Sequence, residues 1–382
     1  MRGMIFLGAF LLGLGAQAAG APDPAPAPAP AKARTEAPES ASFWTVTLDR
    51  LTFAPARLSV PRHAGTVDHY ETKEFSHPGE GIDSALQLRS PDRAVFASVY
   101  VYLPSLAHTG LQAIATDVAI RANPKGGGVP IRTGLASVGG KPGLALTAAY
   151  RNYMGQLFTT SAFVKAGRWL VKVRVSGPEA REAEVSAALA ALLDGLRFEG
   201  AVQPRPAAPL EVSECGPETG GDARLLQGKD MGIEGALVAS LDAAGEPAAD
   251  RGKAAKPLPP RIGRTWCRSV LEVEGNPLTV LRATGDGRGD GLGGRSELFV
   301  LYSDAGGMLE VVGLDGAKKH LLLNHAIGET DILGTFDAVP SMRQLGELFT
   351  RPGENGRVRA SVRLKANGDS EIDVAVAEKA GR

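Results

Sequence analysis

The residues that most invite a chemical reading lie in GDGRGDGLGG, positions 285–294. Aspartates set among glycines are what a calcium loop uses, because a hard dication takes several carboxylate oxygens from a backbone that turns sharply. Asp286, Asp290 and Glu297 fall at positions 1, 5 and 12 of an EF-hand loop, with Gly291 at position 6. Arg288 stands at position 3, where a carboxylate belongs, and strand-like segments flank the loop instead of helices. Gly289, Gly291 and Gly294 also satisfy the dinucleotide fingerprint. That fingerprint needs a helix N-terminus for the pyrophosphate, and RSELFVLYSD reads as a strand. The favoured reading is a glycine-rich connection between strands 277–283 and 296–302, with no cofactor. Asp286, Asp290 and Glu297 remain candidate calcium ligands.

Other candidate chemistry is thinner. His320 and His325 are five apart, which puts them on opposite faces of a strand and off the i, i+4 relation of a helical metal pair. Asp331 and Asp337 join them only if the fold brings them close. Ser137 lacks the Gly that a G-x-S-x-G nucleophile turn needs, since Leu135 occupies that place. The same stretch misses a P-loop because Pro142 stands where Ser or Thr must hold magnesium. No catalytic residue is assigned. DHYETKEFSHPGEGID, 68–83, reads as an irregular loop bearing His69, Tyr70, Phe75 and His77, residue types that favour contact surfaces. The simpler alternative is a loop folded over a sheet edge.

The elements that must position these residues follow from composition and patterning. Lysine plus arginine total 42, as do aspartate plus glutamate, so the chain lacks the basic excess of a nucleic-acid binder. MRGMIFLGAFLLGLGAQAAGAP has the charged start, short apolar run and small-residue cleavage site of a secretory signal, 1–18. No later segment is apolar enough to span a bilayer. Alternating Pro and Ala make 19–42 an extended spacer. Export to the periplasm or beyond the cell makes a Cys215–Cys267 disulfide the expected state of the two cysteines.

Residues 43–200 read as an antiparallel sheet with two packed helices, an α+β architecture. One helix covers TGLQAIATDVAIR. The other carries Val185, Leu189, Leu192, Leu193 and Leu196 on one stripe after a capping box at Ser176–Glu179. FASVYVYLP, GKPGLALTAAYR, GRWLVKVRVSGPEA and ALLDGLRF together resemble the Mog1/PsbP-like α/β/α sandwich. That resemblance implies a non-enzymatic binding scaffold and assigns no site residue. A Pro-rich linker, 201–211, leads to a mostly β domain, 212–379, for which no family is recognised. It has one short helix opened by a second capping box, Ser341–Gln344, and closes with a hairpin at Asn367-Gly368.

The leading functional expectation is a secreted, non-catalytic envelope protein that binds a protein or envelope component. The alternatives are a periplasmic hydrolase with catalytic residues dispersed in sequence, and a calcium-assisted adhesion protein.

Overall fold

Alternating burial along the chain marks the strands that face the core on one side. In FASVYVY, β7 (Phe96–Tyr102), Ala97, Val99 and Val101 are buried while Phe96, Ser98 and Tyr100 are half-buried. The computed structural model describes residues 43–216, 221–226, 262, 265–284, 296–314, 319–350 and 357–374. The expected signal segment and spacer lie outside the described residues.

An eight-stranded antiparallel sheet runs in the order β4 (His63–Ala64), β5 (Val67–Glu74), β6 (Asp83–Arg89), β7, β11 (Trp169–Pro178), β10 (Leu157–Ala166), β9 (Lys141–Tyr153) and β8 (Val129–Val138). A four-stranded sheet beside it joins β1 (Trp44–Val46), β2 (Arg50–Phe53), β3 (Leu58–Pro61) and β12 (Arg197–Phe198). A nine-stranded sheet follows chain order: β13 (Glu211–Glu214), β14 (Thr265–Val273), β15 (Asn276–Ala283), β16 (Ser296–Leu301), β17 (Met308–Leu314), β18 (Lys319–His325), β19 (Glu329–Phe336), β20 (Ala360–Leu364) and β21 (Ser370–Val374). All its neighbours are antiparallel except β13 and β14.

Helix α2 (Glu182–Gly195) buries Val185, Leu189 and Leu192 in a core with Val171, Val173 and Val164 of the eight-stranded sheet. The same core takes in Val312, Leu321 and Val362 of the nine-stranded sheet. Helix α1 (Thr109–Arg121) has two working sides. Leu111 and Ala115 cluster with Trp266 and Phe299, whereas Ile120 clusters with Ala148, Tyr150 and Tyr153. Its cap is His108, whose Nδ1 accepts from the Leu111 amide at 3.3 Å; burial pushes that imidazole down to about 4. Helix α3 (Met342–Thr350) opens with the expected capping box: the Ser341 amide donates to Gln344 Oε1 at 3.1 Å, and the Gln344 amide donates to Ser341 Oγ at 3.3 Å.

Two expectations are overturned. The architecture is not an α+β sandwich with two packed helices. The described residues are 53% strand and 14% helix, in large curled antiparallel sheets with three helices. The Mog1/PsbP-like arrangement falls with it. The physical reason is that strand faces supply most of the buried apolar surface, and stretches read as short or irregular are strands in register, as at β5 against β6. The Ser176–Glu179 capping box is also absent. Ser176 lies inside β11 opposite Phe96, and its hydroxyl sits 2.7 Å from Thr159 Oγ1. Helix α2 begins after a 3-10 turn and meets its dipole with Glu182 and Glu184.

Cys215 and Cys267 form a disulfide across a sequence separation of 52, fastening the end of β13 to β14. Replacing both by serine is expected to lower stability by about 3 kcal/mol in denaturant unfolding. A loss below about 0.5 kcal/mol would show that β13 is held by its ladder alone.

Candidate functional site

The two faces of the eight-stranded sheet differ. One packs on α2. On the other, the cross-strand register aligns Gln87, Ser98, Arg174 and Ser161 in one row over β6, β7, β11 and β10. The row on one side holds Ala85, Tyr100, Lys172 and Phe163, and on the other side Arg89, Phe96, Ser176 and Thr159. Helix α1 covers the β9–β10 end of this face. The β5–β7 end stays half-exposed. There the Arg89 guanidinium lies 4.2 Å over the Tyr70 ring, and Ser98 Oγ donates to Gln87 Oε1 at 2.8 Å.

Where α1 meets the sheet, the polar groups turn inward. The Lys172 side chain is only 7% exposed, and its Nζ sits 2.7 Å from Asp304 Oδ2 in the turn between β16 and β17. Burial holds the Lys172 ammonium below its ordinary pKa against the pull of Asp304, whereas the Lys172 charge holds Asp304 below the usual carboxylate range. Gln112 of α1 donates its amide to the Asp304 carbonyl oxygen. Tyr102, whose pKa burial raises with help from Asp304 and Asp83, keeps a buried hydroxyl with no protein partner. Asp83, directly opposite Tyr102, is pushed up to about 7, first by burial and then by Glu74.

A second polar cluster sits where the β18–β19 hairpin meets the chain after β7. His325 Nε2 is 2.7 Å from Glu310 Oε2, and His325 Nδ1 is 3.0 Å from both Ser105 Oγ and Thr330 Oγ1. Ser296 Oγ donates to Glu310 Oε1 at 2.5 Å. With Glu310 taking the Nε2 proton, Nδ1 accepts from a hydroxyl, so Ser105, His325 and Glu310 have the connectivity of a nucleophile, base and orienting carboxylate. His325 is 2% exposed and Glu310 0%, however. A cavity of about 130 Å³ lies elsewhere, between α2 and β8–β10, lined by Arg132, Thr147, Ser186 and Leu193, with room for a few waters.

The residues singled out from sequence distribute as follows. His69 and Tyr70 lie on β5, not on an irregular loop, and Phe75 and His77 follow its end. Tyr70 and Phe75 are 41% and 43% exposed. His69 is half-buried, which lowers its pKa, with Nε2 3.0 Å from Thr72 Oγ1. Asp286 and Asp290 lie outside the described residues. Glu297 accepts from His320 Nδ1 at 2.5 Å. The pair spans Gly313 of β17, where a Cβ would come within 2.6 Å of Glu297 Oε1. Asp331 accepts from Ser361 Oγ, and Asp337 from the Arg224 amide and guanidinium, so neither joins a histidine. Among the described residues no three His, Cys, Asp or Glu side chains form a metal-binding group. Among the same residues no helix is long and apolar enough to cross a membrane. Sequence reasoning missed Lys172 and Arg174; the signal was available in RWLVKVRV, where two cations alternate with valines and so share one face.

No family model matches the chain, and no curated protein matches it. A solved structure from Bacteroides thetaiotaomicron VPI-5482 is similar at 14% identity and a TM-score of 0.22, over 40% of this chain and 48% of that chain. The chain thus spans about half the length of that structure, and a likeness this slight carries no argument.

Two measurements check the site electrostatics. Asp83 has a folded pKa raised from 3.8 to about 7, so its contribution to stability is whole below about 4 and is lost as pH rises through about 7. With its partial exposure allowed for, Asp83→Asn should remove on the order of 2 kcal/mol of pH dependence between pH 4 and 8. An unchanged pH–stability curve would contradict the assignment. Glu310→Ala, which strands the buried imidazole, should cost about 3 kcal/mol, and Glu310→Gln about 1 kcal/mol. Equal costs would show that hydrogen-bonding capacity at this position is irrelevant.

Proposed function

We propose that the chain is an exported, non-catalytic binding protein that receives a protein or another envelope component on the open end of its eight-stranded sheet. The observation that carries this reading is the β5–β7 surface. Tyr70 and Phe96 stand there among Arg89, Gln87 and Ser98 on an antiparallel frame, with Arg174 of β11 and the partly buried Tyr100 beside them. Half-exposed aromatics and arginines are the side chains that contribute most to binding interfaces, because they combine large apolar area with few rotatable bonds or a multidentate donor. The expected contact residues Tyr70 and Phe75 border this surface. Export is supported by the Cys215–Cys267 disulfide, which persists in oxidising compartments.

A second reading, a hydrolase with dispersed catalytic residues, is favoured by one observation, the Ser105–His325–Glu310 line of hydrogen bonds. Against it stand the burial of His325 and the equal claim of Thr330 on Nδ1. The two readings separate cleanly. Chain beginning at residue 43 should retain one stoichiometric partner from envelope extract, and Tyr70→Ser with Phe96→Ser should weaken that capture at least tenfold without changing the melting temperature of the fold by more than a few degrees. Turnover of ester or amide substrates that disappears in Ser105→Ala would instead establish the hydrolase.

A further inference from the structure

We infer that the open sheet face carries a carboxylate-binding site centred on Arg174, for a monoanionic ligand whose ring lies against Phe96 or Tyr100. The inference rests on the reading of this face as a binding surface and names the chemistry it would recognise.

β11 places Lys172 and Arg174 two residues apart on one face. They are treated differently. Lys172 is neutralised by Asp304. Arg174 is not: its Nε reaches Thr159 Oγ1 at 3.4 Å, and its guanidinium lies 4.7 Å from the centre of the Tyr153 ring. Among the described residues no carboxylate stands within ion-pair distance of Arg174. The Tyr153 hydroxyl is held in turn by the Asn123 side-chain amide at 2.8 Å. The ring backs the guanidinium, and among the described residues its terminal amino groups make no hydrogen bond. A planar fork of that kind matches a carboxylate in two parallel hydrogen bonds.

The neighbours point to the same chemistry. Ser161 is the direct cross-strand partner of Arg174, so their side chains share a face, and the Ser161 hydroxyl is buried with no protein partner. Thr116 of α1 has an equally buried, unpartnered hydroxyl. It lies one turn after Gln112, which reaches Asp304 in the β16–β17 turn, and one before Ile120, which packs with Tyr153 of this sheet. A hydroxyl and a guanidinium with protons left to donate call for a group that only accepts. One unpaired positive charge calls for one negative charge, which selects a carboxylate over a phosphate dianion. Ser98 flanks Arg174 on the other side, with Phe96 and Tyr100 two residues either way along β7, so an aromatic surface borders the proposed site.

The test is titration of the chain from residue 43 to its end with benzoate, glucuronate and inorganic phosphate, read by calorimetry and by amide chemical shifts. Saturable binding of benzoate or glucuronate that shifts Arg174 and Ser161, and that phosphate does not displace, is the expected result. Whichever of the two binds tighter tells an aromatic acid from an acidic sugar. Arg174→Gln should weaken binding at least tenfold and Arg174→Lys almost as much, since an ammonium keeps the charge and loses the fork; Ser161→Ala should weaken it a few-fold. Melting curves check that each variant is folded. Absence of saturable binding by both acids, equal binding to Arg174→Gln, or displacement by phosphate overturns the site. If a partner is still captured on the Tyr70 surface while these acids fail, this inference falls alone. If capture fails too, the binding reading falls with it.

Discussion

An ammonium withdrawn from water must meet a counter-charge, and Lys172 meets one from a turn 132 residues away. Lys172 sits in the middle of a strand whose other face carries Val171, Val173 and Val175, and on its own face it is enclosed where Gln112 of α1 meets the Asp304 turn. Asp304 therefore has to arrive, and with it the β16–β17 turn. Gln112 takes the Asp304 backbone oxygen, which sets α1 between the eight-stranded sheet and the nine-stranded one. The seam continues with the Gly328 amide donating to the Leu103 carbonyl at 2.8 Å and with His325 bonded to Ser105. These polar contacts are made where apolar packing is also dense, so most of the groups that lose water there gain a partner.

That seam divides the sheet face in two. Under α1 and the Asp304 turn, side chains are buried and most are satisfied. Beyond α1, the same strands continue outward with their polar and aromatic residues half in water. The arrangement leaves an uneven, partly covered surface at the β5–β7 end. Among the described residues, the buried hydroxyls of Tyr102, Ser161 and Thr116 are left without protein partners close to this boundary.

How far the sequence is legible depends on how local each cause is. The Ser341–Gln344 box is set by four neighbouring residues and forms. The Ser176–Glu179 box has the same local grammar and does not, because β7 and β10 claim Ser176 for the ladder and the helix starts later. The segment at His69 and Tyr70 reads as a loop from its polar, irregular content. It is a strand because β6 offers a complete set of partners, with a shift between His69 and Glu71 absorbing the irregularity. The α+β expectation fails in the same way: two helices are visible in the pattern, but the weight of the fold lies in strand pairings that no local window contains.

By itself the sequence determined the alternation that gives strands such as β7 a buried and a half-buried face, the α2 stripe, the turn at Asn367-Gly368, and which two cysteines were available to pair. Only the tertiary structure decided that Lys172 finds Asp304, that His325 finds Glu310 and Ser105, and that Arg174 is left with an open fork over Tyr153. The reason is physical. Periodicity and turn chemistry act over a few residues and are written in neighbouring letters, whereas the burial of a charge is resolved by whichever distant group the packed sheets bring within three ångströms.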